Sequence, residues 1–198
     1  MNYEPQSFES LKGVAGFSDN ALDTHFALYQ GYVKNVNALL KTLEILRGED
    51  KMGTLEYAEL ERRFSWEFNG MRLHEYYFAS LNKTPGALLS EGLLTKQLIS
   101  DFGSVEAWEK EFRAIASMRG IGWVVLYYDV SAQRLLNVWV NEHHAGHLAG
   151  CVPLLPLDVF EHAFLIDYGT KRAEYIDACM KAIDWSVVEK RFNEMALQ

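Results

Sequence analysis

Cysteine and proline are scarce, with two and four copies in 198 residues. Cys151 and Cys179 stand alone without CxxC spacing, which excludes a disulfide scaffold and marks both as ordinary reduced thiols. Basic residues are in the minority: 19 Lys and Arg face 27 Asp and Glu, for a formal net charge of −8. That sign argues against a partner surface of nucleic acid or anionic lipid. The longest stretch free of Asp, Glu, Lys and Arg runs from His143 to Leu157 and includes three histidines and two prolines, so it falls short of the ~18 apolar residues of a membrane span. The start, Met1-Asn2-Tyr3-Glu4-Pro5, has neither the basic residues nor the apolar run of a secretory signal, and the cytoplasm is the expected location. Core material, in contrast, is plentiful. Hydrophobic residues make up 49% and aromatics 13%, enough for one compact unit or two small coupled ones.

Periodicity divides the chain into a helical first half and a mixed second half. After the capping cluster Ser18-Asp19-Asn20, the stripe Leu22, His25, Tyr29, Tyr32, Val36, Leu39 and Leu43 predicts a helix from about Ala21 to Leu46. Gly48-Glu49-Asp50 breaks it. A second stripe, with Trp66, Gly70, His74, Phe78 and Leu81, predicts a helix from about Leu55 that ends before Asn82-Lys83-Thr84-Pro85-Gly86. Helical patterns follow from roughly Leu93 to Met118. Gly122 to Tyr128 and Leu135 to Val140 are rich in β-branched and aromatic residues and read as a hairpin around Asp129 to Gln133, with a third strand near Val152 to Leu155. Helical signals return at Asp158 to Tyr168, Arg172 to Ile183 and Trp185 to Ala196. The expected class is α+β: a long antiparallel helical hairpin over residues 1–86, then a domain over 87–198 whose small three-stranded antiparallel sheet is covered by helices on one side.

The histidines carry the chemical information. His25 and His74 lie on the apolar stripes of two facing helices, where a pair of imidazoles can point into one interhelical space and hold a metal. Asp158 and His162 share a face wherever their segment is helical; a surface pair with Asp158 as an N-cap is the alternative. Three imidazoles and a carboxylate suit iron, manganese or zinc, and neither cysteine is needed. Tyr32, on the face of His25, is either a phenol at the pocket mouth that donates or relays a proton, or a packed core residue. His143, His144 and His147 form a cluster that is either part of the site, an accidental surface grouping or a second weak metal site.

The chain resembles the iron/manganese superoxide dismutases along nearly its whole length. The strongest likeness is Asp158-Val159-Phe160-Glu161-His162-Ala163-Phe164, similar to the family's Asp-x-Trp-Glu-His-Ala-Tyr signature, followed by Asp167-Tyr168, Arg172, Tyr175 and Asp184-Trp185. His25 with Tyr32-Val33 and Asn37, Phe68-Asn69 ahead of His74, Asp101-Phe102-Gly103-Ser104 and Gly120-Ile121-Gly122-Trp123 appear in the family's order. The resemblance implies one Fe or Mn ion per subunit, held by His25, His74, Asp158, His162 and a solvent molecule at the interface of the two domains, with Tyr32 and Trp123 beside it. It further implies disproportionation of superoxide to dioxygen and hydrogen peroxide by a metal alternating between trivalent and divalent states. Glu161 would reach His162 of the partner subunit in a homodimer, with pairing into a tetramer left open.

An outer-shell Gln or His that contacts the metal's solvent ligand is also implied. Gly70 occupies the helix position that can supply it, so the loop after the hairpin must, and spacing back from Asp158 favours His143 over His144. Lys34 and Arg172, with Lys171 behind them, are the candidate basic rim for an anionic substrate. Three departures stand out: Phe160 replaces the signature Trp, Tyr29 stands where the family has a gateway His, and Leu165 replaces the Tyr that bonds that His. These leave a rival reading, a non-catalytic metal-binding protein retaining the fold. A facial-triad iron oxygenase, using two His and the carboxylate, would leave one implied ligand spare.

Overall fold

The computed structural model describes residues 2–196. Helices α1 (Asp19–Gly48) and α2 (Leu55–Ala79) form the hairpin. Both start on side-chain caps, since the Ser18 and Thr54 hydroxyls accept from the Ala21 and Tyr57 backbone N–H groups at 3.1 and 3.3 Å. The apolar stripe of α1 is buried as its spacing requires, through Leu22, His25, Tyr29, Val36, Leu39 and Leu43. Its face meets that of α2, bringing the His25 and His74 ring centroids to 4.9 Å.

Helices α3 (Leu93–Phe102) and α4 (Val105–Ala116) divide the 93–118 region. Gly103 at φ 88° ends the first, and the Ser104 hydroxyl caps the second by accepting from the Ala107 N–H at 3.1 Å. Strands β1 (Gly122–Asp129), β2 (Arg134–Asn141) and β3 (Cys151–Asp158) make an antiparallel sheet in the order β2-β1-β3. β3 carries Pro153 and Pro156, which an edge strand tolerates because one side of its ladder is unpaired. A register shift opposite Leu126 and Tyr127 absorbs the irregularity.

The central strand β1 is buried from Gly122 through Tyr128, so both faces of the sheet are covered. Helices α3 and α4 lie on one side, as does α7 (Trp185–Ala196), whose Phe192 ring meets Tyr128 edge-on at 5.0 Å. The expected one-sided cover is completed on the other side by α2, where Tyr77 and His74 pack on Trp123 with centroids at 6.1 and 5.1 Å. The sheet is thus the layer between the hairpin and the later helices.

The helical reading of Asp158 to Tyr168 is corrected. Asp158 is the last residue of β3, paired with Trp123 across the ladder. Phe160 is extended (φ −67°, ψ 154°), a 3-10 turn covers Glu161–Ala163, and only Leu165–Tyr168 is helical, as the short α5. Strand pairing with β1 therefore outweighs the local periodicity. Helix α6 (Arg172–Ala182) follows, and the two cysteines are free, Cys151 half-buried and Cys179 buried.

Candidate metal centre

His25 from α1, His74 from α2, Asp158 at the end of β3 and His162 in the following turn place one ligand atom each within 4.8 Å of one another. Among the described residues no other group of His, Cys, Asp or Glu converges in this way. The Asp158 and His162 side chains meet because the strand end and the turn fold back on one another; no common helix face is involved. Asp158 Oδ2 lies 3.2 Å from His25 Nε2, 3.1 Å from His162 Nε2 and 3.5 Å from His74 Nε2. Four donors around one ion, at bonds of about 2.1 Å and angles of roughly 90–120°, are separated by about 3.0–3.6 Å. The three spacings from Asp158 match that requirement.

The protons of the site are also arranged for a metal. A carbonyl oxygen can only accept, so the His74 Nδ1–H donates to the Gly70 carbonyl at 2.5 Å. The His74 Nε2 is left as a lone pair facing the cluster, and it is fully buried with no hydrogen-bond partner. An orphaned buried acceptor is costly unless something occupies it, and a cation fits. The Phe160 N–H donates to Asp158 Oδ1 at 2.8 Å, which turns the other carboxylate oxygen toward the imidazoles. Burial would raise the Asp158 carboxyl, but His162 and His25 outweigh it and hold it well below the usual range. Burial lowers His25 despite Asp158, and lowers His74 further because His25 adds to it, so both are neutral and ready to bind metal.

Next to the cluster, Tyr32, His143 and Trp123 are joined in a directed chain. An indole N–H can only donate, so the Trp123 Nε1–H donates to His143 Nδ1 at 3.1 Å. Burial pushes His143 down to about 4, leaving it neutral with its one proton on Nε2, which donates to the Tyr32 hydroxyl at 2.7 Å. The Tyr32 proton is then free to point elsewhere, and burial raises Tyr32 above its ordinary value, so the phenol stays protonated at neutral pH. The Phe160 ring is stacked between His143 (centroids 4.5 Å) and His162 (5.0 Å), a position an apolar ring fills without an indole N–H.

Gly70 also has a physical reason: a Cβ there would lie 2.7 Å from the Tyr32 ring. Any side chain on α2 at this point would displace Tyr32, and the residue that bonds the Tyr32 hydroxyl comes instead from the loop, as His143. Of the two loop candidates, His143 is fully buried and His144 is exposed. His147 bonds Tyr127 and the His143 carbonyl, which ties these two histidines to the fold, and among the described residues the trio does not converge as a metal-binding group.

The remaining expectations fall in varied places. Tyr29 is buried with its hydroxyl donating to Glu75 at 3.0 Å and accepting from the Gln6 N–H at 2.9 Å, so it faces away from the Tyr32–His143 pair. Lys34 is exposed, while Lys171 is engaged by Glu174 at 3.1 Å. Arg172 donates to the Gly120 carbonyl at 3.1 Å and lies 5.9 Å from the Trp139 and Phe164 rings. Glu161 and Leu165 are exposed. One cation was missed: Arg63 sits 5.0 Å over Trp66, whose ring meets His143 edge-on at 5.1 Å, and it pairs with buried Glu67 at 2.7 Å. Its signal was present in the sequence, because 63, 67, 70 and 74 lie on one face of α2.

A family model described as "Iron/manganese superoxide dismutases, C-terminal domain" matches residues 90–191. Over almost the full length, the chain is 39% identical to "Superoxide dismutase [Fe]" of Cupriavidus metallidurans, covering 97% of each protein. The chain belongs to the iron/manganese superoxide dismutase family. It is also 34% identical to "Superoxide dismutase [Fe]" of Aquifex pyrophilus, across 96% of this chain and 91% of that protein. A third dismutase relative, "Superoxide dismutase [Mn] 2" of Haloferax volcanii, is 36% identical across 98% and 97%. Iron-named and manganese-named dismutases thus match it to similar extents.

Acid should weaken the metal-free protein. A histidine whose pKa is lower in the folded chain than in the unfolded one binds its proton preferentially when unfolded, so its contribution is complete above the ordinary value of 6.5 and drains as pH falls toward the folded value. For His143 the window runs from 6.5 to about 4 and is worth about 3 kcal/mol; His25 and His74 shift in the same direction. Urea unfolding should therefore show stability lost progressively below pH 6.5, with a shallower loss in His143→Leu.

Proposed function

We propose that the protein disproportionates superoxide at a single iron or manganese ion held by His25, His74, Asp158 and His162. The observation that carries the reading is the convergence of the His25 and His162 Nε2 atoms and one Asp158 carboxylate oxygen on the unpartnered His74 Nε2. A bound ion of either kind supplies one-electron exchange between trivalent and divalent states, taking an electron from one superoxide and giving one to the next.

The chain's own residues handle orientation and protons. Phe160, Trp123 and Tyr32 wall the site with apolar surface and keep bulk water from the donors. The second superoxide leaves as hydrogen peroxide and needs two protons. Tyr32 is placed to deliver one from its hydroxyl, because His143 already supplies the hydrogen bond that this oxygen accepts, and solvent water supplies the other and restores the phenol. His143 and Trp123 then hold the phenol in donating orientation. Attraction of the anion falls to local cations, with Lys34 and Arg63 as the exposed candidates on α1 and α2.

The reading includes a homodimer in which Glu161 meets His162 of the partner subunit. It is supported by exposed Leu165 and Ile166 (46% and 44%) directly after the Glu161–Ala163 turn. It is further supported by Arg172, whose Nε and Nη2 have no partner among the described residues. The halves 1–86 and 87–198 are taken as two domains with the metal between them, since α1 and α2 supply His25 and His74 while β3 and its turn supply Asp158 and His162. No helix among the described residues is long and apolar enough to cross a membrane. A cytoplasmic location remains part of the reading, supported by the two free thiols. Product yield tests the activity: a pulse of superoxide over catalytic amounts of loaded protein should give one dioxygen and one peroxide for every two superoxide ions. Consumption without that ratio would overturn disproportionation.

A further inference from the structure

Three side chains hydrogen-bond to His143, and the dismutase reading uses two of them. Its ring is fixed by Trp123 and Tyr32, but its backbone lies in the loop between β2 and β3, where Glu142, Gly146 and Gly150 all have positive φ (54°, 103° and 81°). Backbone pairing in this loop amounts to the Asn141–Ala145 bridge, a bond from the Glu142 N–H to the Ile121 carbonyl at 3.0 Å and one from the Cys151 N–H to the Leu148 carbonyl at 3.2 Å. His147 adds side-chain bonds. Its Nε2–H donates to the His143 carbonyl at 2.8 Å, because a carbonyl only accepts. In the neutral ring Nδ1 is then a lone pair, and it accepts from the Tyr127 hydroxyl at 2.6 Å.

Tyr127 is on β1, in the same alternation as Trp123, so both side chains leave the same face of the strand. One rigid strand therefore holds His143 twice: Trp123 holds the ring, and Tyr127 holds the backbone through His147. We propose that His147, anchored by Tyr127, is a positioning residue that keeps His143 in the form with its proton on Nε2, facing Tyr32. The inference rests on the dismutase reading only for its catalytic consequence.

The chemistry behind it is the choice of tautomer. A neutral imidazole carries its proton on either nitrogen, and the Trp123 N–H selects Nε2 only while Nδ1 stays within reach of the indole. If the loop drifts, that contact lengthens and the Nδ1–H form becomes competitive. Nε2 would then accept from Tyr32, and the phenol would spend on His143 the proton the substrate needs. A positioning error of an ångström suffices for such a change.

The test uses the metal-free full chain. ¹⁵N NMR reads the His143 tautomer, and hydrogen exchange reads the Trp123 indole proton, in wild type, His147→Leu and His147→Gln. Wild type and His147→Gln, whose amide both donates and accepts, should show the Nε2–H form and slow indole exchange. His147→Leu should show a mixture and exchange at least about tenfold faster, a loss of about 1.4 kcal/mol of protection. Should His147→Leu fail to fold, Tyr127→Phe removes only the anchoring hydroxyl and should move both readouts the same way.

A His147→Leu chain that keeps the wild-type tautomer and slow exchange would overturn the proposal, and so would a glutamine variant as impaired as leucine. The iron- and manganese-loaded forms separate this inference from the activity. A shifted tautomer with unchanged turnover per metal would support the clamp and overturn the role of His143 in aiming the Tyr32 proton.

Discussion

His74→Ala should lose the metal and the activity together. The side chain is fully buried, its Nδ1–H is committed to the Gly70 carbonyl, and its Nε2 faces the cluster without a partner. Its nitrogen is thus aimed before any ion arrives, and the other three donors cannot replace it because each comes from a different element. After dialysis against a mild chelator, the variant should retain under about a tenth of the wild-type metal. Superoxide turnover should fall at least about 10³-fold, the order expected when several kcal/mol of metal chemistry are removed. Circular dichroism keeps the result interpretable: truncating a buried ring costs a few kcal/mol, about 3, partly offset because an unsatisfied nitrogen leaves with it. Full metal content with full turnover would show that His74 is not a ligand.

Removing His143 should separate metal binding from catalysis. His143→Leu leaves all four donors in place, so metal content should stay near one ion per chain, while turnover falls about 10²- to 10⁴-fold, the usual effect of losing a proton-handling group. The variant loses the N–H that Tyr32 accepts and leaves the Trp123 indole without its acceptor. Because His143 and Tyr32 act as one unit, Tyr32→Phe should cost a comparable factor and the double variant little more than either alone. Stopped-flow decay of superoxide with parallel metal analysis measures this. Fully additive losses would mean that the two side chains work independently.

The helical hairpin and its histidines were legible because helical periodicity and burial coincide: the stripe through His25 and the stripe through His74 are the faces that meet. The strands were legible from β-branched and aromatic content, and their positions match within a few residues. The segment after β3 was not. Its spacing reads as helical, but Asp158 is paired with Trp123 in the ladder, an interaction between distant residues that local pattern does not register. The cover of α2 on the second face of the sheet is tertiary in the same sense, although an unbroken apolar run in β1 already hints at burial on both sides. At the site, the four residues that converge could be named from residue type and resemblance, whereas the direction of each proton could not. That direction follows from which groups can only donate, such as Trp123, and which can only accept, such as the carbonyls of Gly70 and His143. The contacts of His147 and Arg63 were not legible for a related reason: each packs on a neighbour, Tyr127 or Trp66, and for His147 that neighbour is distant in sequence.

The decisive measurement is the rate of superoxide disproportionation per bound metal, on wild-type protein loaded separately with iron and with manganese and compared with the metal-free chain. The account predicts turnover proportional to bound metal in at least one form and none in the metal-free chain. One ion per chain with no turnover in either form would contradict it and leave a metal-binding relative that keeps the fold without the reaction.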